Sequence, residues 1–325
     1  MRLSRAIPVV GLVAAAITVA CAELTGPPSP VPLSSKIAIV DTVFASSILR
    51  AVEGFANPLP TPAAGGPRIP DSLLGKTLVL SCDSLWYRVS KDTSGPADGV
   101  RFVLYLVTAP GSMACAATPI GRLDLFDAST SGTTALRAVG SDLAANPQTY
   151  VDYTVSHAAT DSPGITSASG WFTDGQQRLS FIETGGRAPG SYTAAMTAQL
   201  DDSAADVHES LRLSAQLGVD TYGAHVSFTV LNGTTNVALD GGYSWSNGLR
   251  YWNEVVKVNQ TDYAKIGGDF VAYDSQPTLT PLARRTPFTD AERSFLLDLV
   301  GAPARVSSDL GRLLSAGNHL VPGTP

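Results

Sequence analysis

The chain has 325 residues, of which 44% are hydrophobic and 15% charged, and its net charge at neutral pH is -6. That composition argues against disorder and is ample for a sizeable core. The acidic balance, with no Lys/Arg cluster interleaved with aromatics, argues against nucleic acid or an anionic lipid surface as a partner.

Met1-Arg2-Leu3-Ser4-Arg5 opens the chain with two cations, and an apolar run from Ile7 to Ala20 follows. The run is too short to span a bilayer, and the small residues Thr18 and Ala20 stand just before Cys21, so residues 1–20 read as a secretion signal. The stretch Thr18-Val19-Ala20-Cys21 resembles the end of a bacterial lipoprotein signal. That resemblance implies cleavage before Cys21, lipidation of Cys21 and an envelope protein whose partner is the membrane that holds its N-terminal anchor. Ala20-Cys21-Ala22 also fits an A-x-A cleavage site, which would give a secreted or periplasmic soluble protein. Residues 21–33 carry Pro27, Pro28, Pro30 and Pro32, a composition that makes a stiff spacer rather than a helix or central strand.

Of the three cysteines, the lipoprotein reading assigns Cys21 to the anchor and leaves Cys82 and Cys115 as an even pair in an oxidising compartment. A bridge between them would close a ring of about 34 residues, worth about 4 kcal/mol before strain is subtracted. Two buried free thiols are the alternative.

Ser34 is a candidate N-cap for a helix on which Ile37, Val40, Phe44, Ile48, Val52 and Phe55 form one apolar stripe, ending at Asn57-Pro58. With no basic face, that stripe is expected to pack on the protein's own sheet. A proline-rich loop leads to Asp71, and from Gly75 the periodicity becomes strand-like. Thr77 to Ser81, Leu85 to Val89, Arg101 to Val107 and Leu123 to Phe126 read as strands, the third apolar on both parities and hence a candidate for the centre of the sheet. Ser129 to Asn146 is rich in small residues and reads as a loop with a short helix.

Tyr150 to Ser156 alternates cleanly, Gly170-Trp171-Phe172 leads to a turn at Asp174-Gly175, and Arg178 to Glu183 returns. Tyr192 to Leu200 and Leu211 to Val219 flank an acidic link, and Ala224 to Val230 runs into a turn at Asn232-Gly233. Val237-Ala238-Leu239 is expected to end at Asp240-Gly241-Gly242. Tyr243-Ser244-Trp245 then faces Tyr251-Trp252 across Asn247-Gly248. Val255 to Val258 and Phe270 to Tyr273 close the array on either side of Gly267-Gly268. Thr289-Asp290-Ala291-Glu292 is a capping box before Phe295, Leu296, Leu299 and Val300, with Gly301 and Pro303 as stop signals. Val306 to Leu314 forms a second short helix.

Turns this frequent imply a sequential antiparallel meander, since parallel neighbours need long crossovers. The expected fold is mainly β (α+β): about a dozen strands curling into a partial barrel or sandwich. One N-terminal helix and one or two C-terminal helices pack on it. No composition break divides residues 34–320, so one β-rich domain with terminal helices is expected, followed by a tail at 321–325. In shape alone, with no shared motif, such a sheet is similar to the half-barrels of periplasmic lipoprotein carriers.

Chemistry-bearing motifs are sparse. His157, His208, His225 and His319 are scattered, without metal-ligand spacing, and no cofactor is expected. The acidic link Asp201 to Glu209 lacks the spacing of a calcium loop and reads as a solvated hairpin tip. Gly242-Tyr243-Ser244-Trp245-Ser246 fails the nucleophile-elbow pattern at its last position. The candidate binding surface is therefore aromatic: Trp171, Tyr243, Trp245, Tyr251 and Trp252, with Phe172 beside them. Such rings make a sugar or peptide platform when exposed together and cross-strand core pairs otherwise. The expected function is a non-enzymatic binding or scaffold role in the envelope, toward a protein, glycan or amphiphile. The alternatives are an amphiphile or lipoprotein carrier, or a hydrolase with a site assembled across strands.

Overall fold

The computed structural model describes residues 29–33, 43–55, 69–81, 87–91, 95–106, 118–158, 165–188, 191–202, 211–220, 223–246, 249–270, 277–282 and 286–318. Cys21, Cys82, Cys115 and most of the acidic link lie outside them, as do His208, His319 and the signal. Of the helix expected from Ser34, residues 34–42 also fall outside. The remainder contains helix α1 (Ser47–Glu53), which begins where the Ser46 hydroxyl accepts the Leu49 N–H at 3.2 Å.

The first strands are β1 (Lys76–Leu80), β2 (Tyr87–Val89), β3 (Gly99–Tyr105), β4 (Pro119–Asp127) and β5 (Thr133–Asp142). They are followed by β6 (Thr149–Ala158), β7 (Ile165–Thr173), β8 (Gln177–Ala188), β9 (Ser191–Asp202) and β10 (Leu211–Asp220). The series ends with β11 (Gly223–Asn232), β12 (Thr235–Ser246), β13 (Leu249–Val258), β14 (Thr261–Phe270) and β15 (Thr278–Pro281), before helix α2 (Asp290–Asn318). All fifteen strands share one open, mostly antiparallel sheet, and from β3 to β15 chain order is sheet order. The expectation of a mainly β, sequential meander with an N-terminal and a C-terminal helix is met.

At the other end the order is β3-β1-β2, and β1 runs parallel to β3. The strand proposed as central, β3, is therefore third from an edge. Its double-sided apolar pattern reflects α1 on one side and a half-buried Val103 on the other.

Four local readings are corrected. Residues 133–142, expected as loop and helix, form β5 because their small side chains make room for α1: Ala138 is fully buried, and a Cβ on Gly140 would sit 3.7 Å from Val52 Cγ2. Gly241-Gly242 and Gly267-Gly268 are not turns but lie inside β12 and β14. Gly301 and Pro303 do not stop the last helix, which continues because Leu299, Ala302, Val306 and Leu310 remain buried through that point. The β11–β12 turn also slips by one residue. Asn232 pairs with Thr235, so Gly233-Thr234 makes the loop.

The helices define an inner face of the sheet. On it α1 meets β3 through β6, and α2 meets β5 and β6. Strand parity places Val151, Tyr153 and Val155 of β6, Phe172 of β7, and Leu179 and Phe181 of β8 on that face, all buried. Phe172 stacks on Phe181 with ring centroids 4.9 Å apart and planes within 1°. Gly170 lies between Tyr153 and Phe181 in the ladder, where a Cβ would fall 2.2 Å from the Asp152 carbonyl oxygen.

Helix α2 is fixed at both ends. At its start Thr289 N–H and Oγ1 each donate to Glu292 Oε2 at 2.9 Å, and the Glu292 N–H donates to Thr289 Oγ1. The same carboxylate accepts Tyr263 Oη from β14 at 2.7 Å. Near its end, the Leu313 carbonyl accepts Tyr153 Oη at 2.9 Å. The outer face is polar, with two-bond pairs Arg101–Asp124 and Arg137–Asp152 and the Arg178 guanidinium 4.2 Å over the Trp171 ring.

Candidate functional site: the uncovered inner face of β9 to β13

The ladder registers align Gly186, Thr193, Gly218, His225, Gly242, Asn253, Gly267 and Thr278 in one row across β8 to β15. A glycine on every second strand removes the side chains that stiffen a sheet and marks a line of bending. Gly241 and Gly242 have φ of +140° and +144°, and a Cβ on either would stand 2.2 Å or less from a backbone oxygen of the adjacent strand.

Burial on the inner face changes along the strands near this line. Phe228 and Val230 of β11, Val237 and Leu239 of β12, and Val256 and Val258 of β13 are fully buried. Further along, Val226, Tyr243 and Trp252 are only half-buried, as are Ala194 of β9 and Leu217 and Val219 of β10. The first zone belongs to the hydrophobic core, and the second is a half-buried apolar strip, hereafter the trough, with two facing rings. Tyr243 faces Trp252 across the β12–β13 ladder with ring centroids 6.4 Å apart.

Glu254 lies at the floor of this trough, two residues from Trp252 on the same face, between Gly241 and Ile266. It is 3% exposed, and its Oε2 has no hydrogen-bond partner among the described residues. Burial pushes its carboxyl above the usual carboxylate range, an effect that a hydrogen bond from the Trp252 side chain partly offsets. Glu183 of β8 shares the inner face, between Ala168 and Met196, and burial raises its carboxyl as well. Among the described side chains of β8 to β14, the inner face carries these two carboxyls and no Lys, Arg or His.

The aromatic residues singled out from the sequence do not share one surface. Tyr243 and Trp252 meet on the inner face, whereas Trp171 and Tyr251 occupy outward positions, Tyr251 being 40% exposed. Trp245 pairs with Arg250 in the ladder, and its side chain is outside the described part. Phe172 is core. Glu254 and Glu183 were missed, although each breaks an apolar parity: Glu254 among Trp252, Val256 and Val258, and Glu183 after Leu179 and Phe181.

On the outer face, the glycine row floors open grooves of about 360 and 420 Å³ shared by Thr193, Gly218 and His225. His225 Nδ1 is 2.5 Å from the Gly241 carbonyl, which accepts only and so places the proton on Nδ1. His157 Nδ1 is 3.5 Å from Thr166 Oγ1. No group of three or more His, Cys, Asp or Glu able to hold a metal occurs among the described residues, and no described helix is long and apolar enough to cross a membrane.

These features define a class by shape: an open, sequential β meander whose inner face is partly filled by its own helices and partly left bare. Compared with protein-family models, curated proteins and solved structures, the chain matches none.

Proposed function

We propose that this protein is an exported, lipid-anchored binding protein of the cell envelope, tethered through Cys21, whose β domain holds the apolar part of an amphiphile in the trough of β9 to β13. The observation that carries the reading is the gradient on the inner face. Strands β11 to β13, sealed at Phe228, Leu239 and Val256, leave Val226, Tyr243 and Trp252 half-buried, and Leu217 and Val219 of neighbouring β10 are half-buried beside them. Incompletely buried apolar surface with a few polar groups is the common lining of a small-ligand site. The basic start, apolar run and Cys21, followed by a proline-rich spacer, support the tether.

The ligand-binding part is tested by organic extraction of protein purified from its native membrane, followed by mass spectrometry. A stoichiometric amphiphile is the expected result, and repeated preparations that yield none overturn the reading. Intact mass of the same material tests the tether. Acyl chains on an N-terminal Cys21 are expected, and an unmodified N-terminus overturns it.

A further inference from the structure

Glu254 is out of place in an apolar trough unless something compensates it. Removing a carboxyl from water costs free energy that hydrogen bonds or an opposite charge normally return, and the Oε2 atom has no hydrogen-bond partner among the described residues. The strand pattern gives this position no structural need for an acid, since Val256 and Val258 occupy the equivalent inward sites beyond it. The described inner face of β8 to β14 offers no cation, and the neighbouring rings are Trp252, whose side chain hydrogen-bonds the carboxyl, and Tyr243, both of a kind that stabilises an ammonium group. Gly241, directly across the ladder, places no side chain opposite the carboxyl.

We infer that Glu254, with Trp252 and Tyr243, forms the recognition point for the protonated primary amine of an amphiphile whose chain lies along Leu217, Val219 and Val226. The inference rests on the trough reading and adds the headgroup to it. An ammonium N–H donates to Oε2, beside the Trp252 and Tyr243 rings, and gives that oxygen a partner it lacks among the described residues. Glu183, five strands away on the same face, is the other inward carboxyl. Asp240, His225 and Lys265 face outward and do not compete for the amine.

The test uses the full chain, the apolar fluorophore N-phenylnaphthylamine as reporter, and decylamine, decanol and decanoate as competitors of equal chain length. Decylamine is expected to displace the reporter at concentrations about tenfold lower than decanol, and decanoate to be the weakest. In Glu254→Gln the amine and alcohol should agree to within about twofold. Displacement independent of headgroup in the unmodified protein overturns the amine inference and leaves the trough standing. An amine preference that survives in Glu254→Gln also overturns it. No reporter uptake at all overturns both readings. The headgroup series on the unmodified protein decides the question even if the variant fails to fold.

Discussion

Tyr153 Oη, on strand β6, donates a hydrogen bond to the Leu313 carbonyl of helix α2 across 160 positions of sequence, at 2.9 Å in a buried setting. It ties the last helix to the middle of the sheet at a point where the Tyr153 ring already packs against Phe172. Tyr153→Phe keeps the ring and removes this bond, so it should cost about 1 kcal/mol of stability with no loss of secondary structure. Chemical denaturation followed by circular dichroism measures it, and an unchanged midpoint would show that the bond contributes nothing.

The other end of α2 should be more sensitive. Glu292 accepts from Tyr263 Oη, Thr289 N–H and Thr289 Oγ1 while only 5% exposed. Glu292→Ala strips the cap and strands a buried tyrosine hydroxyl, a combined cost of about 2–4 kcal/mol. Tyr263→Phe removes one bond and should cost about 1 kcal/mol. Comparable losses for the two variants would contradict the shared-carboxylate geometry.

Glycines within the bending row should respond unequally. At Gly242 a Cβ would lie 2.0 Å from the Ala224 carbonyl oxygen, whereas at Gly218 nothing stands within 4 Å. Gly242→Ala is expected to destabilise by about 3 kcal/mol or more, and Gly218→Ala to stay within about 0.5 kcal/mol of the parent. Thermal melting of both variants side by side makes the comparison, and equal behaviour would refute the steric account.

The buried acids give a pH signature. Burial raises the Glu254 and Glu183 carboxyls above their ordinary value of 4.5, so the folded state holds these protons more tightly than the unfolded chain. Stability from this source is complete below that ordinary value and is lost as pH rises from it through the raised folded values. Melting temperature measured from pH 4 upward should therefore fall less steeply in the double variant Glu183→Gln/Glu254→Gln than in the parent. Parallel curves would mean that neither acid titrates abnormally.

Much of the sheet was legible because most strands obey a period of two with branched or aromatic residues on one parity, as in Val151, Tyr153 and Val155 or Val226, Phe228 and Val230. The failures share a cause: tertiary packing used small residues where local rules read punctuation. Gly140 and Ala138 mark the seat of α1, Gly241-Gly242 a bend inside a strand, and Gly301 a passage through a helix held by its neighbours. The site was less legible. Parity alone separates Tyr251 from Trp252, but only three dimensions reveal that the inner face is sealed at one end and bare at the other, which turns Glu254 from one acid among many into the exception.

The near-perfect agreement of chain order with sheet order carries a consequence for how the protein is made. Each strand from β4 to β15 can add to the edge left by its predecessor, so loop closure stays short and the sheet can extend as the chain advances. Helix α2 comes last, and it covers surface that the earlier strands have already assembled. Until it docks, the growing sheet exposes the inner face that Leu299, Val306 and Leu313 later seal. A chain truncated before Asp290 would therefore present a broad sticky surface, and the interval between the last hairpin and the arrival of the helix is the stage of biogenesis most vulnerable to aggregation.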